Sequence, residues 1–177
     1  MENKQVKWIV QTALFIALLV VIQFVTAPLG NTLITGSLVN LILIVAVLSC
    51  GLKTGGFVAV LSPILAKFVG IGPFWTLIPF IMLGNLILVI IYHLIYKKVR
   101  NNVGGQIVLI ISGALGKVII LYSGIVKIMV PLVLQLPPAQ AKVISTMFSF
   151  PQLITAIIGG IGALVIYAQL NKSLNNN

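Results

Sequence analysis

The feature that most constrains this chain is a succession of apolar runs too long, and too rarely broken by charge, to be packed inside a water-soluble domain. From Phe74 to Tyr96 no charged side chain occurs, and the alternation of apolar run and short polar break recurs along the sequence. A bilayer span needs about 20 mostly apolar residues. Of the 177 residues 60% are hydrophobic and 7% charged, whereas ordinary globular domains carry about 25% charged residues. A domain of this length still exposes much of its surface to water. The solvent for so much apolar surface is therefore lipid.

Gly, Pro and charged clusters divide the sequence into six runs: Trp8 to Val25, Leu38 to Leu52, Phe57 to Ile71, Phe74 to Tyr96, Ile107 to Leu134 and Val143 to Leu170. The expected fold is all-α, a polytopic membrane protein whose six transmembrane helices form a single domain over residues 1–177. The second and third runs are short and are joined by the turn from Gly51 to Gly56. They read as two short or tilted spans, with a re-entrant hairpin as the alternative, because Lys53 at the turn tip needs an aqueous interface. The stretch from Gln23 to Gly30 after the first run lacks an A-x-A cleavage signature, so the run is expected to be a retained helix, with a signal-peptide h-region as the alternative. Outer loops are expected from Thr26 to Ser37, around Gly72 and Pro73, and from Pro131 to Lys142, with a frayed tail from Asn171 to Asn177.

Six spans put both termini on one side, together with the Lys53 turn and the loop from Lys97 to Asn102. That side carries Lys4, Lys7, Lys53, Lys97, Lys98, Arg100 and Lys172, most of the eleven basic residues. The positive-inside rule makes it the cytoplasm. The net charge of +10 thus reads as a set of topology signals at the ends of apolar runs. It does not form a stripe along which a nucleic-acid backbone would lie, and no nucleic-acid partner is expected.

The only acidic residue is Glu2 and the only histidine is His93. Paired carboxylates, a Ser-His-Asp arrangement and a two-His metal site are therefore excluded, and neither an enzyme nor a cofactor is expected. The lone Cys50, beside Gly51, reads as a small packing residue. Proton- and sodium-coupled carriers commonly place Asp or Glu within the membrane. This sequence has none there, nor a G-x-x-x-x-G-K-[ST] motif, so energy for uphill transport would come from another protein.

Polar residues inside the runs are the candidates for function. Lys117 precedes Pro131 by a helical rise of about 21 Å, deep in the hydrocarbon, on a face that also carries Gly113, Ile120, Gly124 and Lys127. Counting 100° per residue groups Trp75, Ile78, Met82, Asn85 and Tyr92 on the fourth run. The sixth run places Ser145, Ser149, Gln152, Thr155 and Gly159 in a similar stripe. Each stripe taken alone is also explained by helix packing, where such contacts contribute about 0.6 kcal/mol on average. Their convergence at one depth, beneath a Pro- and Gly-rich outer loop, favours a solute pocket open to the outside. Asn40 and Lys67 would line its mouth, although snorkelling also accounts for Lys67. With two lysines on one face and no acid opposite, the ligand is expected to be neutral or anionic, and an aromatic heterocycle would stack on Trp75.

The first run reads Thr12-Ala13-Leu14-Phe15-Ile16-Ala17-Leu18, so Ala13 and Ala17 form a small-xxx-small patch on which another helix can approach closely. With that patch, the short second and third helices, and the Pro28 to Thr32, Ile34 to Asn40 and Gly70 to Pro73 segments, the whole chain resembles the substrate-binding S components of energy-coupling factor (ECF) vitamin transporters. The resemblance implies a membrane T subunit docking on Ala13 and Ala17, driven by two cytoplasmic ATPases. It implies too a vitamin, vitamin precursor or related molecule held near the outer surface by the loop after the first helix and by helices four to six. The competing readings are a non-transport assembly or structural subunit and a self-sufficient channel.

Overall fold

The structure is a computed structural model that describes residues 3–175; Glu2, Asn176 and Asn177 lie outside the described residues. Among the described residues there is no strand. Helix α1 spans Lys4–Thr26 and is capped by the Asn3 side chain, which accepts from the Gln5 amide at 3.2 Å. A 3-10 turn, Ala27–Leu29, and Gly30 in the left-handed region (φ 64°) end it.

Helix α2 then starts at once, over Thr32–Phe68, because the Asn31 side chain accepts from the amides of Leu33 (3.0 Å) and Ile34 (3.3 Å). An Asn in that role satisfies two of the free N–H groups at a helix start. The long outer loop expected from Thr26 to Ser37 is accordingly reduced to a few residues.

Within α2 the backbone is broken at Gly51 (φ 82°, ψ 177°), a conformation open essentially to glycine alone. The chain reverses there. A Cβ added to Gly55 would lie 2.6 Å from Val47 Cβ, although residues eight apart on an unbroken helix are separated by about 12 Å. Val39 and Ser62, far apart along a straight helix, line one cavity. The two arms, Thr32 to Cys50 and Leu52 to Phe68, rise about 28 Å and 26 Å. The turn expected over Gly51 to Gly56 is thus confined to Gly51, and Leu52 already belongs to the returning arm.

Helix α3, Ile78–Val99, follows a 3-10 turn at Trp75–Leu77, and α4, Val103–Leu121, is capped by Asn102, which accepts from the Gly105 amide. From Tyr122 to Leu134 the helix widens into π winding around Pro131, which has no N–H to donate. Gln135 in the left-handed region closes it (φ 43°). The expected outer loop from Pro131 to Lys142 is therefore mostly helical. A short α5, Pro138–Met147, breaks at Phe148 and Ser149 before α6, Phe150–Asn175, so the sixth apolar run is two helices. The segment expected to fray is helical through Asn175.

Five stretches, each an apolar helix or adjoining helices, are long enough to cross a membrane, α2 counting once despite its reversal. Leu14, Phe24, Leu132 and Phe150 are among many large apolar side chains left exposed, as expected where lipid is the solvent. Inside are two apolar clusters. One joins α1, α2, α3, α4 and α6 through Leu19, Leu43, Val47, Val58, Leu88, Tyr92, Leu109 and Ala163. The other joins Leu77, Leu121, Ile125, Val130, Ile144 and Phe148. One end of the bundle gathers the Gly51 reversal, the α1 start and the last turns of α3: Lys53 Nζ lies 3.7 Å from the Trp8 ring centroid, and Gly51 and Arg100 line a shared cavity.

Candidate functional site

Between the two apolar clusters lies a polar layer centred on Lys117, which is 4% exposed. Its Nζ donates to Asn40 Oδ1 at 2.6 Å and to Asn85 Oδ1 at 2.7 Å. These short, charge-assisted bonds tie α4 to α2 and α3. Asn40 in turn donates through Nδ2 to Thr155 Oγ1 on α6 (3.3 Å), and Thr155 donates to the Gln152 carbonyl (3.1 Å). Asn85 Nδ2 reaches the Ala59 carbonyl at 3.5 Å. The helices meet closely here because glycines face backbone: a Cβ on Gly159 would lie 2.7 Å from Asn40 Cβ and from the Ser37 carbonyl oxygen.

A cavity of about 180 Å³ opens beside the layer, with Lys117, Asn85 and Gln152 in its wall. Gln23 of α1 and Thr32, Thr35 and Gly36 of the first arm of α2 line another side. Ser62 and Pro63 of the returning arm, Pro73, Ile81, Leu121, Met147 and Phe148 complete it. Its hydrogen-bonding groups are thus hydroxyls, amides and one ammonium. A lysine ammonium has three donors; two are taken by Asn40 and Asn85, and among the described residues no third acceptor lies in reach. A carbonyl or an anion in the cavity would supply it. The absence of any carboxylate side chain among the described residues leaves nothing there to neutralise a cationic ligand.

The structure therefore brings together Asn40, Asn85, Lys117, Gln152 and Thr155. Met82 stands next to the lining residue Ile81 but is not in the wall. The other expected residues go elsewhere. Trp75 is half exposed and meets Phe68 edge-on at 5.1 Å. Lys67 reaches the Gly72 carbonyl at 3.5 Å. Gly124 lies against the Phe80 ring as a helix contact, and Lys127 is exposed, 5.6 Å from the Tyr122 ring centroid. Ser149 bonds the Thr146 carbonyl in the α5 to α6 break.

Gln23, Ser62 and the Thr32, Thr35 pair also line the cavity, although none of them was expected there. Gln23 and Ser62 are lone polar residues in apolar runs, a signal that was present, whereas Thr32 and Thr35 fell in an expected loop. On helix α1, Ala13 and Ala17 are exposed beside Leu14 and Leu18, so this face has no partner within the described chain.

Searches among curated proteins and among solved structures return no match. A family model described as "ECF transporter, substrate-specific component" matches residues 7–170, nearly the whole sequence. The chain belongs to the substrate-specific components of ECF transporters.

Proposed function

We propose that this multi-pass membrane protein captures a small molecule from outside the cell and delivers it to an ATP-driven importer. The observation that carries the reading is an ammonium, buried among the helices and braced by two amides, that lines a cavity with a donor to spare. An intramembrane cation is costly and is kept where it does work. The cavity is smaller than the roughly 300–1,000 Å³ of drug-sized sites. A compact vitamin-like molecule, neutral or anionic, fits that volume and that donor set.

In this reading the chain crosses the membrane six times, the two arms of α2 counting separately. Both termini are cytoplasmic, since the end that gathers the Gly51 reversal and the last turns of α3 carries Lys53, Lys97, Lys98 and Arg100. A membrane T subunit docks on Ala13 and Ala17, and two ATPases drive the cycle. Titration of the purified protein with a vitamin and nucleobase panel, followed by tryptophan fluorescence, is expected to give saturable binding that Lys117→Ala and Asn85→Ala abolish. Binding unaffected by both substitutions, or a protein that neither binds the panel nor carries a small molecule detectable by mass spectrometry, refutes the reading.

A further inference from the structure

A second cavity, of about 210 Å³, lies at the end of the bundle that holds the Gly51 reversal, away from the Lys117 site. Helix α3 and its C-cap supply His93, Lys97 and Arg100 to it. Their spacing of four and three residues puts them on one helix face. Tyr96 of α3 and Tyr167 of α6 form another wall, their rings edge to face at 5.5 Å. Val47 and Leu48 give it an apolar floor. The backbone at Arg100 is held by Gln106, whose Nε2 donates to the Arg100 carbonyl at 2.6 Å.

Two independent features define what this cavity takes. Its rim concentrates a guanidinium, an ammonium and an imidazole within two turns of helix, together with two phenols. No carboxylate side chain exists among the described residues to offset them, the single acid of the sequence being Glu2. Like charges at such spacing repel, so the arrangement is stabilised by an anion from outside the chain. A guanidinium fork beside an ammonium and hydroxyl donors suits the several acceptor oxygens of phosphate. We propose that this cavity is a phosphate-binding site, distinct from the cavity of the transported molecule. The phosphate is either the headgroup of an anionic lipid seated between the helices, where cytoplasmic-side basic pockets hold such groups, or free phosphate.

The test uses the full chain purified in detergent, native mass spectrometry, and three probes: phosphatidylglycerol, phosphatidylcholine and inorganic phosphate. One phosphatidylglycerol is expected to be retained in preference to phosphatidylcholine. The double substitution Lys97→Gln with Arg100→Gln is expected to weaken it about tenfold or more, as loss of charge-assisted bonds requires. Lys98→Gln with Lys172→Gln removes as much charge outside the cavity, and is expected to leave binding unchanged. All four substituted side chains are exposed, and circular dichroism confirms that the variants fold. Inorganic phosphate that binds alone and displaces phosphatidylglycerol identifies free phosphate as a sufficient ligand; phosphatidylglycerol binding without it identifies the lipid headgroup. Equal losses in the two double variants, or a chain that neither prefers phosphatidylglycerol nor binds phosphate, overturns the proposal.

Discussion

Replacing Lys117 by Met and Asn85 by Leu is expected to move stability in a counterintuitive order. Lys117→Met orphans two buried amide oxygens, Asn40 Oδ1 and Asn85 Oδ1, at about 1–3 kcal/mol each. It also removes a charge whose desolvation costs several kcal/mol, and the two effects largely offset. Asn85→Leu keeps the ammonium but takes away one of its two acceptors and the bond to the Ala59 carbonyl. The charge-assisted bond alone accounts for about 1.5–3 kcal/mol, with nothing gained in return. Asn85→Leu should therefore be the more destabilising single change, and the double variant should be more stable than Asn85→Leu by itself. Thermal unfolding of ligand-free protein in detergent, followed by the fluorescence of Trp8 and Trp75, measures the order. A Lys117→Met protein that unfolds well below Asn85→Leu, with no recovery in the double variant, would show that the ammonium is structural glue and not a charge retained for a ligand.

Gly51→Ala places a Cβ at φ 82°, ψ 177°, and strain of about 1–3 kcal/mol should appear as a lower unfolding temperature; an unchanged one contradicts the reversal. Gly159→Ala pushes a methyl against Asn40 and the Ser37 carbonyl, which at about 1–3 kcal/mol of overpacking should reduce both stability and ligand affinity. Thr155→Val keeps the shape but removes the acceptor of Asn40 Nδ2. In a bundle that bond contributes about 0.6 kcal/mol, so a small fall in melting temperature is expected. Ala17→Trp fills the exposed α1 face and should abolish co-purification with the T subunit and ATPases while ligand titrations stay unchanged; intact co-purification removes the docking claim.

The membrane class and the polar cluster around Lys117 were legible because a lone polar residue in an apolar run is informative wherever it occurs. Lys117, Asn85, Asn40, Gln152 and Thr155 all announced themselves this way. What failed was rotation. The 100° per residue used to group side chains holds for α-helix only. Gly124 and Lys127 lie in the π-wound stretch and Trp75 in a 3-10 turn, where the angle differs and each residue swings to another face. Lys67 and Ser149 sit at helix ends, where nearby backbone carbonyls accept from them. The outer loops were overestimated because Asn31, read as part of a loop, is a helix cap. The break between α5 and α6 coincides with Pro151, whose ring favours the first turn of a new helix.

The bracing of Lys117 by two amides on separate helices bears on how tightly a guest can be held. A free lysine side chain gives up up to roughly 2 kcal/mol of rotamer freedom when it is pinned. Here Asn40 and Asn85 have already fixed the tip of that chain during folding. A molecule bound there, as proposed, would meet a donor whose direction is set in advance, and the gain from contact would not be spent on ordering the host.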